Sequence, residues 1–348
     1  MQPLRILILS DGRAGHFNLS EGIAAALAKR VPTRVERRDV RRGRWPGPVL
    51  AAMTRVWAPS EPLMRLVYDI DATALAPADV VISAGAETLA ASIWIARTLG
   101  CPNIFYGSLR WFAPTDFALV LTSYARKAGR PRHALALKPS PLDPDTFRPA
   151  TTSVRPRPGN PPRRVALLVG GNAGTVHYAD ADWDRLLAFM PRATAELATR
   201  WLVTNSRRTP DAVSDRLAAL ARARPDCVDT FVDVRSAGAG TLKGILAAAD
   251  AVICTDDSSS MISECVWCRL PVIGVRPARC HLPADEAAYR AWLARSRWCA
   301  SLPFDGLEPQ VMLAALAGLE PAAGNPLDAL AALLEQRLPH LQPSQRRA

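Results

Sequence analysis

The sequence predicts an α/β protein built as two Rossmann-like, doubly wound parallel-sheet domains, and three observations predict it. Short apolar runs such as Leu4-Arg5-Ile6-Leu7-Ile8-Leu9, Val80-Val81-Ile82 and Val165-Ala166-Leu167-Leu168-Val169 alternate with segments of helical period. Such alternation is the pattern of a parallel sheet with helices on both faces. It starts twice, at Leu4 and again at Val165, with a proline-rich stretch between. A length of 348 residues suits two domains of ordinary size.

In the first half, Leu4 to Leu9 reads as a strand and Ser20 to Arg30 as a helix with Ile23, Ala24, Leu27 and Ala28 on one face. Between them Ser10-Asp11-Gly12-Arg13-Ala14-Gly15-His16-Phe17-Asn18 reads as a glycine-punctuated loop at a strand's carboxyl end. Thr33 to Arg37 makes a short second strand. After it come Arg37, Arg38, Arg41, Arg42 and Arg44, then Trp45 and apolar residues through Val49, Leu50, Met53, Val56 and Trp57. Asp79 to Ser83 is a buried strand, followed by Ala84-Gly85-Ala86-Glu87 and a helix through Leu89, Ile93 and Ala96. Cys101 to Tyr106 and Phe117 to Leu121 are further strands.

Eight prolines between Pro139 and Pro162 then interrupt all periodicity, which marks a linker. The expected divisions are an N-terminal domain over 1–148, a linker over 149–163, a C-terminal domain over 164–325, and a helix and tail over 326–348. In the second half Val165 to Val169, Arg200 to Thr204, Val228 to Val232, Ala251 to Cys254 and Leu270 to Val275 read as strands. Trp183 to Ala198, Asp211 to Ala223 and Thr241 to Ala249 are helical. Asn325-Pro326-Leu327 starts a last helix, with proline suited to its first turn.

Composition excludes several classes. No apolar run approaches the roughly 18 residues that cross a membrane, and Leu4 to Leu9 is too short for a signal-peptide core. The seven cysteines are odd in number and set among apolar neighbours, as reduced core residues are. A cytoplasmic protein is expected. Cys265-Val266-Trp267-Cys268 has no second ligand pair at zinc spacing, so no metal site is expected there. The net charge of +11 suits an acidic partner, but only four of the 43 basic residues are lysines. An arginine-rich composition accounts for part of that charge.

The chemistry gathers in loops at strand ends. In the second half these are Gly170-Gly171-Asn172, Ser206-Arg207-Arg208 and the stretch from Thr255 to Glu264. Glycines let backbone N–H groups approach an anion, arginines supply forked donors, and hydroxyls at a helix start complete the shell. That inventory suits a diphosphate, and Glu264 suits the vicinal hydroxyls of a ribose. Each piece also has a plainer reading: a tight turn, a solvated arginine pair, a serine cap. No Lys-Ser or Lys-Thr follows the glycines, which excludes a Walker loop, and no G-x-G-x-x-G opens a helix. In the first half His16 is the candidate general base, since imidazole titrates near neutrality. Asp11 either orients it or is itself the base. The plainer reading is that His16 only bonds loop backbone.

Asp11-Gly12-Arg13-Ala14-Gly15-His16, Ser206-Arg207-Arg208-Thr209-Pro210 and Thr255-Asp256-Asp257-Ser258-Ser259-Ser260-Met261-Ile262-Ser263-Glu264 together resemble the mitochondrial fission ELM family, in the expected order and across nearly the whole chain. Bacterial members of that family are taken to be GT-B glycosyltransferases. The resemblance implies a GT-B-like fold, with two Rossmann-like domains facing a central cleft. More remotely it implies transfer of a sugar from a nucleotide-diphosphate sugar, UDP-linked in the related enzymes, to a lipid-linked or cell-envelope acceptor.

By that resemblance the diphosphate and ribose of the donor fall on Ser258, Ser259, Ser260 and Glu264, and the strand-end loops add Gly170, Gly171, Asn172, Ser206, Arg207, Arg208, Thr255, Asp257 and Met261 to the expected donor site. The acceptor loop is Gly12, Arg13, Gly15, Asn18, Gly85 and Glu87, with His16 and Asp11 catalytic. No metal or further cofactor is called for. The family usually has Ala or Ser where this chain has Asp256, and Val where it has Ser259, which sets an extra charge near the expected phosphate. The segment from Arg34 to Arg44, with Trp45 and Trp57, suits an anionic membrane surface on the inner face of the cytoplasmic membrane. It lacks the interleaved aromatics of a nucleic-acid site. A UDP-sugar 2-epimerase-like enzyme and a non-catalytic adaptor at a membrane are the competing readings.

Overall fold

The structure, a computed structural model, describes residues 2–71, 74–147, 160–237 and 241–341. The chain opens with β1 (Leu4–Ser10), α1 (Ala14–Ala28), β2 (Thr33–Asp39), α2 (Gly47–Val56) and α3 (Glu61–Tyr68). It continues through β3 (Val80–Ala84), α4 (Leu89–Leu99), β4 (Asn103–Tyr106), β5 (Leu119–Thr122), α5 (Ala125–Ala128) and β6 (His133–Leu135). A second set follows: β7 (Arg164–Leu168), β8 (Val176–His177), α6 (Asp180–Leu197), β9 (Arg200–Thr204), α7 (Asp211–Ala223) and β10 (Val228–Val232). Then come α8 (Val234–Ala237), α9 (Leu242–Ala248), β11 (Ala251–Thr255), α10 (Ser259–Trp267), β12 (Val272–Arg276) and β13 (Arg279–Cys280). The chain closes with α11 (Ala284–Arg295), β14 (Cys299–Pro303), α12 (Pro309–Ala317) and α13 (Pro326–Arg337).

These elements form two compact units: Met1–Pro141 with Pro326–Ala348, and Leu142–Asn325. The chain thus changes unit just ahead of the span read as linker. Of that span, 149–159 lies outside the described residues, as does the tail from 342 onward. The helix α13, read as an appendage, belongs to the first unit. It packs on α1 and buries Leu327, Leu330, Ala331 and Leu334. Ion pairs from Lys29 to Asp328 and from Arg30 to Glu335 flank that contact.

Each unit carries a six-stranded sheet in which every pairing is parallel. The orders are β2-β1-β3-β4-β5-β6 and β10-β9-β7-β11-β12-β14. Strands buried on both faces read as unbroken apolar runs, which is why β1, β3, β7 and β11 were legible. Trp94 and Phe105 anchor one core, Trp201 and Phe189 the other. In the first sheet the winding reverses between β1 and β3, in the second between β7 and β11. Open α/β sheets bind ligands at such a reversal, outside the carboxyl ends of the two strands.

One expectation is corrected. Helix α1 begins at Ala14, so His16 and Asn18 stand on its first turns and not in a loop. Gly12, at φ 80°, turns the chain directly behind Asp11 and lets the helix start at once. Its first turns are polar and carry Gly15 and Asn18, both poor helix formers, so the periodic signal begins only further on. The arginines from Arg34 to Arg44 do not share one face. Those up to Arg38 lie on β2, an edge strand whose successive side chains point to opposite faces. Arg37 stacks on Phe17 with its guanidinium 4.2 Å from the ring centre, and pairs with Asp39. Among the described residues no helix is long and apolar enough to cross a membrane.

Candidate active site

The loops after β1 and β3 meet at the reversal point of the first sheet. Asp11 follows β1 with its side chain 2 % exposed, and His16 Nδ1–H donates to its Oδ2 over 2.8 Å. A buried carboxylate accepting from Nδ1 leaves Nε2 as the lone-pair nitrogen, the tautomer a general base requires. Asp11 Oδ1 accepts from the Arg13 amide, so the same carboxylate ties the turn. Gly85 follows β3 at φ 92°, and a Cβ there would stand 2.3 Å from His16 Nδ1 and 2.8 Å from Asp11 Oδ2. Glycine is therefore required twice over, by conformation and by the approach of the imidazole. Gly85→Ala is expected to cost about 1–3 kcal/mol and to displace His16, which urea denaturation and the imidazole NMR shifts would read.

Other residues of the predicted loop have different roles. A Cβ on Gly15 would meet nothing within 4 Å, so packing does not demand glycine there. Arg13 is exposed. Glu87 is held by Arg42 in a forked ion pair at 3.0 and 3.1 Å, and its carbonyl accepts from the Tyr68 hydroxyl at 3.1 Å. Tyr68 was not singled out by sequence and Arg42 was read only as part of the arginine run, since each bonds a residue far along the chain.

In the second unit the loops after β7, β9 and β11 come together, because β7 pairs with both of the other strands. Gly170 N–H donates to Thr255 Oγ1 over 2.6 Å, and the Thr209 hydroxyl lies 2.8 Å from the carbonyls of Val169 and Gly170. A Cβ on Gly171 would fall 1.9 Å from the Arg208 carbonyl oxygen, so backbone meets backbone and no side chain fits. Asn172 spends its side-chain oxygen on the Tyr178 amide. The Ser206 hydroxyl accepts from the Arg208 amide and turns that loop.

Asp256 and Asp257 part to opposite sides of the strand end. Asp257 is fully buried beside Gly170, accepts from the Tyr178 hydroxyl at 3.1 Å and pairs with Arg208 at 2.6 Å. Burial first, and then the Asp257 charge, push the Tyr178 phenol well above its ordinary range, so it remains a donor. Arg208 is thereby committed to a carboxylate, whereas Arg207 is exposed and without an ion pair among the described residues. Asp257, Arg208 and Asn172, expected as ligand contacts, tie the loops to one another in this structure.

Asp256 lies beside Gly274 on the β12 side. Its carboxylate pairs with Arg290 at 2.6 Å and Arg276 at 3.6 Å, and accepts from the Ser301 hydroxyl at 3.3 Å. The extra acid is thus compensated internally. Burial raises its pKa from the usual carboxylate value, while the two arginines draw it back.

The start of α10 completes this site. Ser258 caps it, its Oγ accepting from the Met261 amide at 3.3 Å. Ser259 and Ser260 occupy the first turn, at the positive end of the helix dipole, with Ser260 exposed. Glu264, half-buried, follows one turn after Ser260. Ser263 bonds the Tyr289 hydroxyl at 2.6 Å and fixes α10 to α11. The C-x-x-C thiols, Cys265 and Cys268, are buried.

The family model described as Mitochondrial fission ELM1 matches residues 14–287. Among curated proteins no sequence match is found. Among solved structures, MurG of Acinetobacter baumannii is 15 % identical with a TM-score of 0.50, over 96 % of this chain and 100 % of that one. A UDP-GlcNAc 2-epimerase of Neisseria meningitidis bound to UDP-GlcNAc is 8 % identical with a TM-score of 0.55, over 97 % and 99 %. The Methanocaldococcus jannaschii UDP-GlcNAc 2-epimerase is 10 % identical with a TM-score of 0.53, over 96 % and 99 %. At such identities the likeness is one of fold: two α/β domains of the GT-B class.

Proposed function

The chain belongs to the mitochondrial fission ELM1 family, and from that premise we propose that it is a glycosyltransferase. It would move a sugar from a nucleotide-diphosphate sugar, UDP-linked, to a lipid-linked or cell-envelope acceptor on the cytoplasmic side of a membrane. The observation that carries the reading is the meeting of three loops at the reversal point between β7 and β11. They bring Gly170, Arg207 and the start of α10 to one sheet edge. Backbone amides, an uncommitted guanidinium and a helix N-terminus are what a diphosphate needs, and Glu264 supplies an acceptor for ribose hydroxyls. The solved epimerase that holds UDP-GlcNAc has the same fold class, which supports a nucleotide-sugar ligand without identifying it.

The chemistry follows from the other unit. The acceptor hydroxyl gives its proton to His16 Nε2 as its oxygen bonds the anomeric carbon. The bond from that carbon to the diphosphate breaks, and the electron pair leaves with the nucleotide. Asp11 stabilises the imidazolium that forms. Negative charge gathering on the diphosphate is met by Arg207 and the α10 dipole, so the reading assigns no metal or cofactor a role.

A thermal-shift series with UDP, GDP, CMP, ADP and dTDP tests the donor site. A ligand at a hundredfold its Kd stabilises by about 2.7 kcal/mol, so UDP should raise the melting temperature by several degrees. Glu264→Ala should lose that rise. If no nucleotide shifts the wild type at millimolar concentration, the reading fails. Isomerisation of free UDP-sugar without transfer would move the protein to the epimerases.

A further inference from the structure

Between β2 and β3 the chain makes an excursion through α2 and α3 that Gly43 N–H closes at its base by donating to the Val67 carbonyl over 2.9 Å. Its inward side is ordinary core, with Leu50, Met53, Met64 and Val67 buried. Its outward side is not ordinary surface. Val56 is 75 % exposed, Leu66 65 % and Trp57 55 %, all on this one excursion. Beside them runs an apolar groove of about 500 Å³ lined by Trp45, Val49, Met53, Trp57, Leu63 and Leu66. Trp111, half-exposed, lies against Gly47 at the start of α2. Contiguous exposed apolar surface of this kind marks an interaction site.

The surrounding charge selects the partner. On the excursion itself Arg41 is exposed and in no ion pair among the described residues, whereas Arg42 is spent on Glu87 and Arg65 on Glu61 and Asp71. Arg44, next to Trp45, is exposed and forms no ion pair among the described residues. Arg55 donates to the Trp111 carbonyl, so it keeps its full charge beside the apolar surface. Tryptophan with its apolar body and polar edge, aliphatic side chains and uncompensated arginine are the composition that anionic bilayer surfaces bind.

We propose that the α2–α3 excursion is a docking surface for an anionic lipid bilayer. Arg42 and Tyr68, at its two ends, both grip Glu87, two residues beyond the Gly85 that touches His16. Docking there would hold the His16–Asp11 pair near the headgroups, where a lipid-linked acceptor lies. That consequence rests on the transferase reading, whereas bilayer binding does not.

Co-sedimentation of the full chain with phosphatidylcholine vesicles, with and without phosphatidylglycerol, decides it. The wild type should pellet with the anionic vesicles and release as salt rises. A Val56→Ser, Trp57→Ser, Leu66→Ser triple variant should bind roughly tenfold or more weakly, and Arg44→Glu, which leaves the apolar surface intact, roughly fivefold or more. Unchanged melting temperatures control for folding, since all four side chains are solvent-facing. Failure of the wild type to bind anionic vesicles, or full binding by both variants, would overturn the proposal. So would a concentration-dependent dimer abolished by the triple variant. Vesicle binding without any nucleotide-induced thermal shift would sink the transferase reading alone.

Discussion

His16→Ala is expected to lower the turnover of sugar transfer by about 10²- to 10⁴-fold while leaving the UDP-induced thermal shift unchanged. The magnitude is that of a lost general base, and the separation of the two readouts follows from where the residue stands. His16 is on α1 of the first unit, whereas the loops assigned to the donor all belong to the second. Asp11→Asn should mimic it in part, because an amide can present its N–H to Nδ1 and hold the imidazole in the wrong tautomer. A kcat loss with KM for the donor unchanged is the expected pattern in both. Loss of nucleotide binding in His16→Ala would reassign the residue to the donor, and wild-type turnover would remove it from the chemistry.

The second large effect is on stability. Arg290→Ala should destabilise the second unit by about 3–5 kcal/mol at neutral pH, because it strips the closest counter-charge from a buried carboxylate. Asp256 is 3 % exposed, and Arg276, its other cation, is more distant at 3.6 Å. The sign with pH follows from the direction of its shift. A carboxyl whose folded-state pKa is raised favours the fold below its unfolded pKa of 3.8 and loses that contribution as pH rises through the folded value. Without Arg290 the folded value rises further, so the variant's deficit should shrink on acidification. Denaturant titrations of both proteins at several pH values measure it. A deficit that stays constant with pH would mean that Arg290 acts through packing and not through charge. Asp256→Asn placed on Arg290→Ala should restore part of the loss for the same reason.

The fold was largely legible because its signals are local. Strands such as β1, β7 and β11 are apolar on both faces, and the prolines separate two repeats of one pattern. The meeting of the three strand-end loops of the second unit could be anticipated because each follows a strand of one parallel sheet. The pairing order then made them neighbours at the point where winding reverses. Helices α2 and α3 escaped notice because they are short, ten and eight residues, and each carries proline in its first turn, which leaves little room for the helical period to show. The start of α1 was misplaced because Gly15 and Asn18, poor helix formers, outweigh Ala14 in its first turns. Only the turn at Gly12 and the seat of His16 on Asp11 put it there.

Sequence alone was enough to anticipate two parallel α/β domains, the residues of the anion-ready loops, and the candidate base with its carboxylate, since strand and helix periods and strand-end chemistry are written within a few neighbouring residues. Which charges are spent on one another was decided only in three dimensions. Arg208 meets Asp257 across 49 positions, Arg290 meets Asp256 across 34, and Arg42 meets Glu87 across 45. Pairing at such separations depends on sheet order and helix placement, which no local window contains. That is why Arg208 is tied to a carboxylate while Arg207 forms no ion pair among the described residues. It is also why Asp256, an anomaly beside a phosphate when read along the chain, is in the folded protein a neutralised strut.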